Sequence, residues 1–154
     1  MDCIIPIDRT REKQIMIKGL VKDEAILSQS CEKATAEDAP AAQDLLDTLT
    51  SLDNAACLAA NQIGVTKCIV AYRDENDQPH VIYNPRILLA LGAFKAEEGC
   101  LSLEIDSKVT RFDRIKVACD ELVDGALVPR KKDYAGWTAQ IIQHAVDHCK
   151  GKLI

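Results

Sequence analysis

Several features that would assign the chain to a membrane or secreted class are missing from the sequence. None of its apolar runs approaches the roughly 20 residues that a membrane-spanning helix needs. The first residues, MDCIIPIDRTREK, lack the basic start, apolar stretch and small-residue cleavage site of a secretory signal. We therefore expect no membrane association and a cytoplasmic location.

Clustered basic residues and internal repeats are also lacking. The net charge is −5, and the longest basic run, Arg130-Lys131-Lys132, is followed by Asp133, so we interpret it as a turn. Binding to phosphates needs clustered Lys and Arg, so direct nucleic-acid binding is not expected. A length of 154 residues suits one domain over 1–154, with 1–18 as an N-terminal arm. Nothing in the sequence indicates an oligomeric state.

The seven cysteines form no recognisable framework. Their number is odd, their spacing is irregular and no CxxC pair occurs. A disulfide scaffold or a cysteine-rich zinc module is therefore disfavoured. Most of the cysteines are predicted to be small buried hydrophobes, with one or two at most that carry chemistry.

The coarse pattern predicts helices at two places and strands between them. Thr35 and Asp38 resemble a capping box before apolar residues at helical spacing, namely Ala42, Leu45, Leu46, Leu49 and Leu52. Residues 67–72 and 80–83 flank a polar link and predict a hairpin. Residues 114–122 alternate in polarity and precede a tight turn at Asp124-Gly125.

The last predicted element is a helix over roughly 134–149, with Gly151 as its C-terminal cap. Its residues Trp137 and Val146 are interpreted as core-facing. Short antiparallel strands with helices at both ends of the pattern indicate an α+β domain.

Two histidines of the last helix suggest metal chemistry. His144 and His148 lie four residues apart, so successive turns bring both imidazoles to one face. Such a pair can offer two nitrogen ligands to one metal ion. The alternative is a pair that packs or hydrogen-bonds without metal, and the spacing alone leaves both interpretations open.

Two further segments contain residue types that suit an active site. In the segment 98–102 (EGCLS), the Cys100 thiolate together with two histidines would leave a fourth metal position open. In the segment 57–64 (CLAANQIG), small residues allow close approach, and Gln62 can donate or accept a hydrogen bond. Taken alone, Cys100 is more simply a buried thiol and the other segment a packed turn.

Together these segments resemble the three motifs of the peptide deformylase family, in the same chain order. The family carries G-x-G-L-A-A-x-Q, then E-G-C-L-S, then Q-H-E-x-D-H. The chain has AACLAANQ at 55–62, EGCLS at 98–102 and QHAVDH at 143–148. The middle motif matches at every position, and the resemblance extends over residues 21–154.

This resemblance implies a metal centre on a deformylase-like fold, with short antiparallel sheets around a central C-terminal helix. Cys100, His144 and His148 would bind one divalent ion, which is usually ferrous iron in the family, with zinc, nickel or cobalt able to substitute. A water in the fourth position would attack the formyl carbon of N-formyl-methionyl peptides or nascent chains. Gln62 and the backbone N–H of Leu101 would stabilise the oxyanion.

The resemblance also implies supporting residues. Asp147 would pair with Arg111 to hold the helix. The first-motif positions Ala55 and Cys57, together with Gly99, would contact substrate. Both first-motif positions are glycine in the family, so the replacements here are expected to alter how a peptide fits.

The main departure is Ala145, which occupies the position of the family's glutamate. That glutamate shuttles a proton, and loss of a general acid–base group typically costs about 10²–10⁴-fold in rate. Asp147 cannot replace it, because Ala145 and Asp147 lie about 80° to opposite sides of the histidine face. Ala145 fits either a change made in a working enzyme or natural divergence.

Three functions remain open at this stage. The first is metal-dependent deformylation, impaired by the loss of the general acid–base residue. The second is a non-catalytic protein that binds formylated N-termini on a deformylase scaffold. The third is a metal-free relative in which Cys100 and the histidines only pack.

Overall fold

The computed structural model describes residues 18–99 and 106–154. Within these ranges the chain forms three α-helices: α1 (Glu24–Leu27), α2 (Ala39–Ser51) and α3 (Gly136–Cys149). The same ranges contain five strands: β1 (Cys57–Ala59), β2 (Ile69–Arg73), β3 (Pro79–Gly99), β4 (Asp106–Val123) and β5 (Ala126–Ala135). The strands pair antiparallel in chain order to form one sheet. The expected α+β class is confirmed, although one sheet with two long strands replaces the expected short sheets.

The sheet has helices on both faces because alternate residues of a strand point to opposite sides. On β2, Val70 and Tyr72 pack in the cluster that contains α3. Ile69 and Ala71 pack in a second cluster, which contains Leu45 and Leu49 of α2 and Leu58 of β1. Helix α3 therefore covers the sheet on one face, opposite to α2.

The predicted capping box opens the segment that contains α2. The Thr35 side chain accepts a hydrogen bond from the Glu37 N–H at 3.3 Å, and the Asp38 carboxylate accepts one from the Thr35 N–H at 2.8 Å. These bonds start a short 3-10 turn, Ala36–Asp38, that leads directly into α2. Pro40 occupies the first turn, where its missing N–H costs nothing.

The predicted hairpin is present, but β3 extends far beyond it. Residues 79–83 pair with β2, and the remainder of β3 pairs with β4 as far as Gly99 opposite Asp106. Register shifts occur between Tyr83 and Arg86, next to Asn84, whose φ is +52°. Tyr83 pairs with both Ile69 of β2 and Asp120 of β4, and the far end of β3 places Glu98 beside His144 of α3.

Three of the expectations are corrected by the structure. The basic run Arg130–Lys132 lies inside β5, where it pairs with β4, and is not a turn. Helix α3 begins at Gly136, because Tyr134 still pairs with Ile115 in the sheet. Trp137 is 64% exposed, since it lies in the first turn of α3, whereas Val146 is buried as predicted. None of the described helices combines the length and apolar character needed to cross a membrane.

Candidate metal centre and substrate cavity

Two imidazoles face each other at the buried side of α3. The Nε2 atoms of His144 and His148 are 3.0 Å apart. Both rings are buried, His148 completely. The i, i+4 spacing therefore produces the convergence that the sequence predicts.

A carboxylate fixes the orientation of the first histidine. The Nδ1 atom of His144 is 2.9 Å from Glu98 Oε1 at the end of β3. With the proton on Nδ1 donated to this carboxylate, Nε2 presents its lone pair toward His148. A carboxylate behind a ligating imidazole is the usual outer partner of a histidine metal ligand.

Glu98 is itself held by two other side chains. Arg111 donates to both of its carboxylate oxygens, with Nη2 at 2.7 Å and Nε at 2.9 Å, and Gln140 donates from Nε2 at 2.9 Å. Burial alone would raise the pKa of Glu98. The hydrogen bonds from His144, Arg111 and Gln140, together with the charge of Arg111, instead lower that pKa to about 2. Glu98 is therefore an anion at every ordinary pH.

The same arginine joins β4 to α3. Arg111 Nη1 lies 2.6 Å from Asp147 Oδ2, so the pairing expected from the sequence is present. The guanidinium is 4% exposed and lies between two carboxylates. Asp147 is therefore directed at Arg111 and not at the histidine pair.

The first motif forms the opposite wall of the site. Residues Ala60–Ile63 make a 3-10 turn after β1, in which Gln62 Oε1 accepts the Ala59 N–H at 2.9 Å. Asn61 Nδ2 donates to the His148 carbonyl at 2.8 Å and ties this turn to α3. Gln62 is thereby fixed close to the helix that carries the histidines.

A cavity of about 520 Å³ opens between these walls. The predicted substrate-contacting residues Ala55, Cys57 and Gly99 line it, together with Gln62 and His144. Trp137 and Ile141 of α3 complete its apolar side. Ala145 does not line the cavity: it is fully buried in the α3 core cluster.

The residues present suit a metal ion. Two imidazole nitrogens on one tetrahedral ion, each about 2.0–2.1 Å from it, lie about 3.3 Å from each other, close to the separation found here. Within residues 18–99 and 106–154 no set of three or more His, Cys, Asp or Glu side chains is placed to hold a metal. The predicted third ligand, Cys100, and the predicted oxyanion donor, Leu101, lie outside the described residues.

Sequence reasoning assigned no role to Glu98, Gln140 or Asn61. Glu98 could have been found, because it belongs to the second motif and a ligating histidine commonly donates its other ring N–H to a carboxylate. Gln140 and Asn61 contact their partners only through the fold, and no local pattern marks them.

The fold and the paired histidines define the class of protein: an α+β chain with a helix-borne histidine pair at a substrate-sized cavity. Comparison with known proteins narrows this class. The family model described as polypeptide deformylase matches residues 16–154. A peptide deformylase of Clostridium beijerinckii is 41% identical over 140 residues, which cover 90% of this chain and 100% of that protein.

Solved structures agree with this result. Peptide deformylase from Thermotoga maritima superposes with a TM-score of 0.78 at 27% identity, covering 91% of this chain and 95% of that one. A peptide deformylase from Legionella pneumophila gives 0.75 at 28% identity, covering 90% and 83%. The chain belongs to the peptide deformylase family.

Proposed function

We propose that this chain binds one divalent metal ion through Cys100, His144 and His148 and removes the formyl group from N-formyl-methionyl peptides or nascent chains. We further propose that Ala145 slows this reaction strongly. The observation that carries the proposal is the histidine pair, with its Nε2 atoms 3.0 Å apart and Glu98 behind it, at the wall of a cavity. Membership of a metal-dependent family supports it.

Ferrous iron is the metal we propose, and zinc, nickel or cobalt should be accepted by the same nitrogen and thiolate donors. When bound, the ion would supply Lewis acidity for attack on the formyl carbon. Glu98 keeps the His144 proton on Nδ1 and so leaves Nε2 as a ligand. The anionic form of Glu98 would also partly neutralise the charge of the centre.

Gln62 is proposed to stabilise the oxyanion together with the backbone N–H of Leu101. Gln62 Oε1 accepts a hydrogen bond from the Ala59 N–H, so the Nε2 group of the same side chain is oriented to donate to a substrate. Ala55 and Gly99 have little or no side chain, so a peptide backbone can approach the cavity wall. Cys57 lies at a position that is glycine in the family, and its side chain leaves less room for the peptide backbone.

The proposed impairment follows from proton transfer. Release of the amine requires a proton at the leaving nitrogen, and alanine has none to give. Asp147 is committed to Arg111 at 2.6 Å and also lies 3.5 Å from Lys152. Glu98 is committed to His144, Arg111 and Gln140. Formate and a free N-terminus would still be the products, formed slowly.

A second candidate is a non-catalytic binder of formylated N-termini. The cavity, the histidine pair and Gln62 would suffice to hold a formyl-methionyl group, and Ala145 fits a protein that has no need for turnover. This candidate predicts binding of a formyl-methionyl peptide without formate release. Calorimetry with the metal-loaded protein measures that binding directly.

The deciding experiment measures formate release from a formyl-methionyl peptide by nickel-loaded protein. Ala145→Glu should raise kcat by about 100-fold or more, because it restores the missing acid–base group. Ala145→Gln is the matched control, since it has the same size and cannot transfer a proton. It should leave kcat at the level of the unmodified chain.

Each alternative result has a definite meaning. Measurable and equal rates for the unmodified chain and Ala145→Glu would disprove the proposed impairment. Glu97 and Asp106, the other carboxylates lining the cavity, would then be the next positions to substitute. Binding without turnover in both proteins would favour the non-catalytic binder. The absence of both binding and turnover would disprove both candidates.

A further inference from the structure

Three cysteines that play no part in the proposed reaction meet at the C-terminal end of α3. They are Cys31 after α1, Cys68 just before β2, and Cys149 as the last residue of α3. Cys149 is 3% exposed, whereas Cys31 and Cys68 are only partly buried. A buried thiol is thus flanked by two that solvent can reach.

Backbone hydrogen bonds hold this cluster together. The Cys31 N–H donates to the Cys149 carbonyl at 2.8 Å, and the Cys68 N–H donates to the Glu32 carbonyl at 2.8 Å. Glu32 and Lys67 form a parallel bridge, and Glu32 Oε2 is 3.3 Å from Lys67 Nζ. The segments that carry the three thiols are therefore fixed to one another by the main chain.

A glycine allows the helix end to approach the loop that carries Cys31. Gly151 has a φ of +78°, and a Cβ there would collide with the Ser28 carbonyl, 2.8 Å from its carbon. Only glycine avoids both the strained φ and the collision. The segments that carry Cys31 and Cys149 are thus packed closely against each other.

The side chains of the cluster contact one another. The Cys149 thiol hydrogen-bonds to both Cys31 and Cys68. Hydrogen bonding from Cys149 outweighs burial and lowers the pKa of Cys68 to about 7, so that its thiolate is populated at neutral pH. For comparison, burial raises the pKa of Cys119 to about 11. Since the described residues include no side-chain set placed to hold a metal, we consider thiol chemistry and not metal binding.

We propose that Cys68 and Cys149 form a reversible disulfide when the protein meets a hydroperoxide. The Cys68 thiolate attacks the peroxide, the O–O bond breaks, and Cys68 becomes a sulfenic acid. The displaced hydroxide (for hydrogen peroxide) takes up the proton that the Cys68 thiol released on ionisation and leaves as water. The Cys149 sulfur then attacks the Cys68 sulfur, the S–O bond breaks, and the hydroxyl group leaves as water with the Cys149 proton. Two thiols and one peroxide give one disulfide and two waters.

The disulfide would tie the last turn of α3 to the start of β2. Cys149 directly follows His148, so the link would form next to the proposed metal centre. The proposal does not depend on deformylation, because its readouts are covalent bonds and labelling rates. Failure of the proposed function would therefore leave it standing.

The first test treats the full chain with one equivalent of hydrogen peroxide in the presence of Zn²⁺, an ion without redox chemistry. Mass spectrometry of unreduced peptides should find a link between Cys68 and Cys149 that dithiothreitol removes. Cys68→Ser should reduce the rate of cross-linking at Cys149 at least tenfold. Cys119→Ser, a matched buried thiol, should leave that rate unchanged.

Two results would overturn the proposal. One is oxidation of Cys68 to sulfinic acid without any link to Cys149. The other is a link at Cys149 that forms as fast in Cys68→Ser as in the unmodified chain, which would make Cys31 the reacting thiol.

A second test needs no substitution and so avoids any loss of folding. Alkylation of Cys68 by iodoacetamide, followed by peptide mapping, should rise with pH to a midpoint near 7 and then level off. The groups facing Cys68 are the thiols of Cys31 and Cys149, with the Glu32–Lys67 ion pair beside it. A midpoint at or above that of an ordinary free thiol, about 8.5, would contradict the thiolate character on which the first step depends.

Discussion

Arg111 is buried and the side chain of Glu98 is 9% exposed, and each supplies the opposite charge that the other needs. Arg111 is 4% exposed and lies against Glu98 at 2.7 Å and Asp147 at 2.6 Å. A buried charge without its partner is costly, whereas an exposed ion pair contributes little. The orientation of His144 therefore depends on a residue of β4, because Arg111 holds the carboxylate that His144 contacts.

Replacing this arginine should destabilise the fold as well as the site. Arg111→Leu leaves the carboxylates of Glu98 and Asp147 buried together without a counter-ion, so the free energy of unfolding should fall by about 3–5 kcal/mol. Urea denaturation followed by circular dichroism measures the change. Arg130→Leu is the control, because the Arg130 side chain is 45% exposed and its Nε atom forms an ion pair with Glu121 Oε1 at 3.5 Å. Loss of such an exposed pair should lower the free energy of unfolding by less than about 1 kcal/mol. Similar losses for both variants would contradict this account.

Some contacts of single residues could be predicted from the sequence, and others could not. The pairing of Asp147 with Arg111 and the convergence of His144 with His148 follow from motif and helical spacing. The hydrogen bond of Gln140 to Glu98 could not be predicted, because 42 residues separate the two and they meet only where α3 lies beside the end of β3. Trp137 was wrongly predicted to be buried, because helical periodicity does not show at which turn a helix begins to pack against the sheet.

The elements differ in how strongly their own residues specify them. Helix α2 directly follows a capped 3-10 turn and has regular apolar spacing, and both features predicted a helix here correctly. The outer part of β3 has no alternation between buried and exposed residues, since all of its residues from 86 to 99 are at least partly exposed. It is a strand because it pairs with β4, so a pattern based on burial could not reveal its length.

The contact between the end of α3 and the loop after α1 can be tested at Gly151. Gly151→Ala meets both an unfavourable φ of +78° and a collision with Ser28. Gly125→Ala is a matched control, because its φ is +81° with no atom within 4 Å of the added Cβ. The control should lose about 1 kcal/mol of unfolding free energy from backbone strain, and Gly151→Ala should lose clearly more. Equal losses in thermal or urea unfolding would show that the close approach contributes nothing.

At the scale of the whole molecule, a chain with one sheet between α2 and α3 places its three motifs around one cavity. The first motif contains β1 and most of the 3-10 turn after it, the described part of the second motif is the end of β3, and the third lies on α3. Matching the motifs to a family predicted this arrangement, whereas composition and periodicity alone gave only the α+β class. Ligands drawn from separate elements should couple metal binding to the stability of the entire fold.

Metal binding should therefore stabilise the folded chain as a unit. A ligand at 100 times its Kd that binds only the native state adds about 2.7 kcal/mol, which for this length corresponds to a rise in Tm of roughly 5–10 °C. Thermal melting with added Zn²⁺ or Ni²⁺ measures the rise. His148→Ala removes one proposed ligand and should abolish most of it.

His80→Ala is the matched control for that experiment. The chain has three histidines, and His80 is the one outside α3. It lies on β3, and its Nε2 atom hydrogen-bonds to Asp74 at 2.7 Å. Its removal takes one imidazole from the protein without touching α3, so the metal-dependent rise in Tm should remain. Equal loss of the rise in both variants would mean that the metal binds histidine non-specifically. A rise that survives in His148→Ala would place the metal away from the two Nε2 atoms that face each other in the structure.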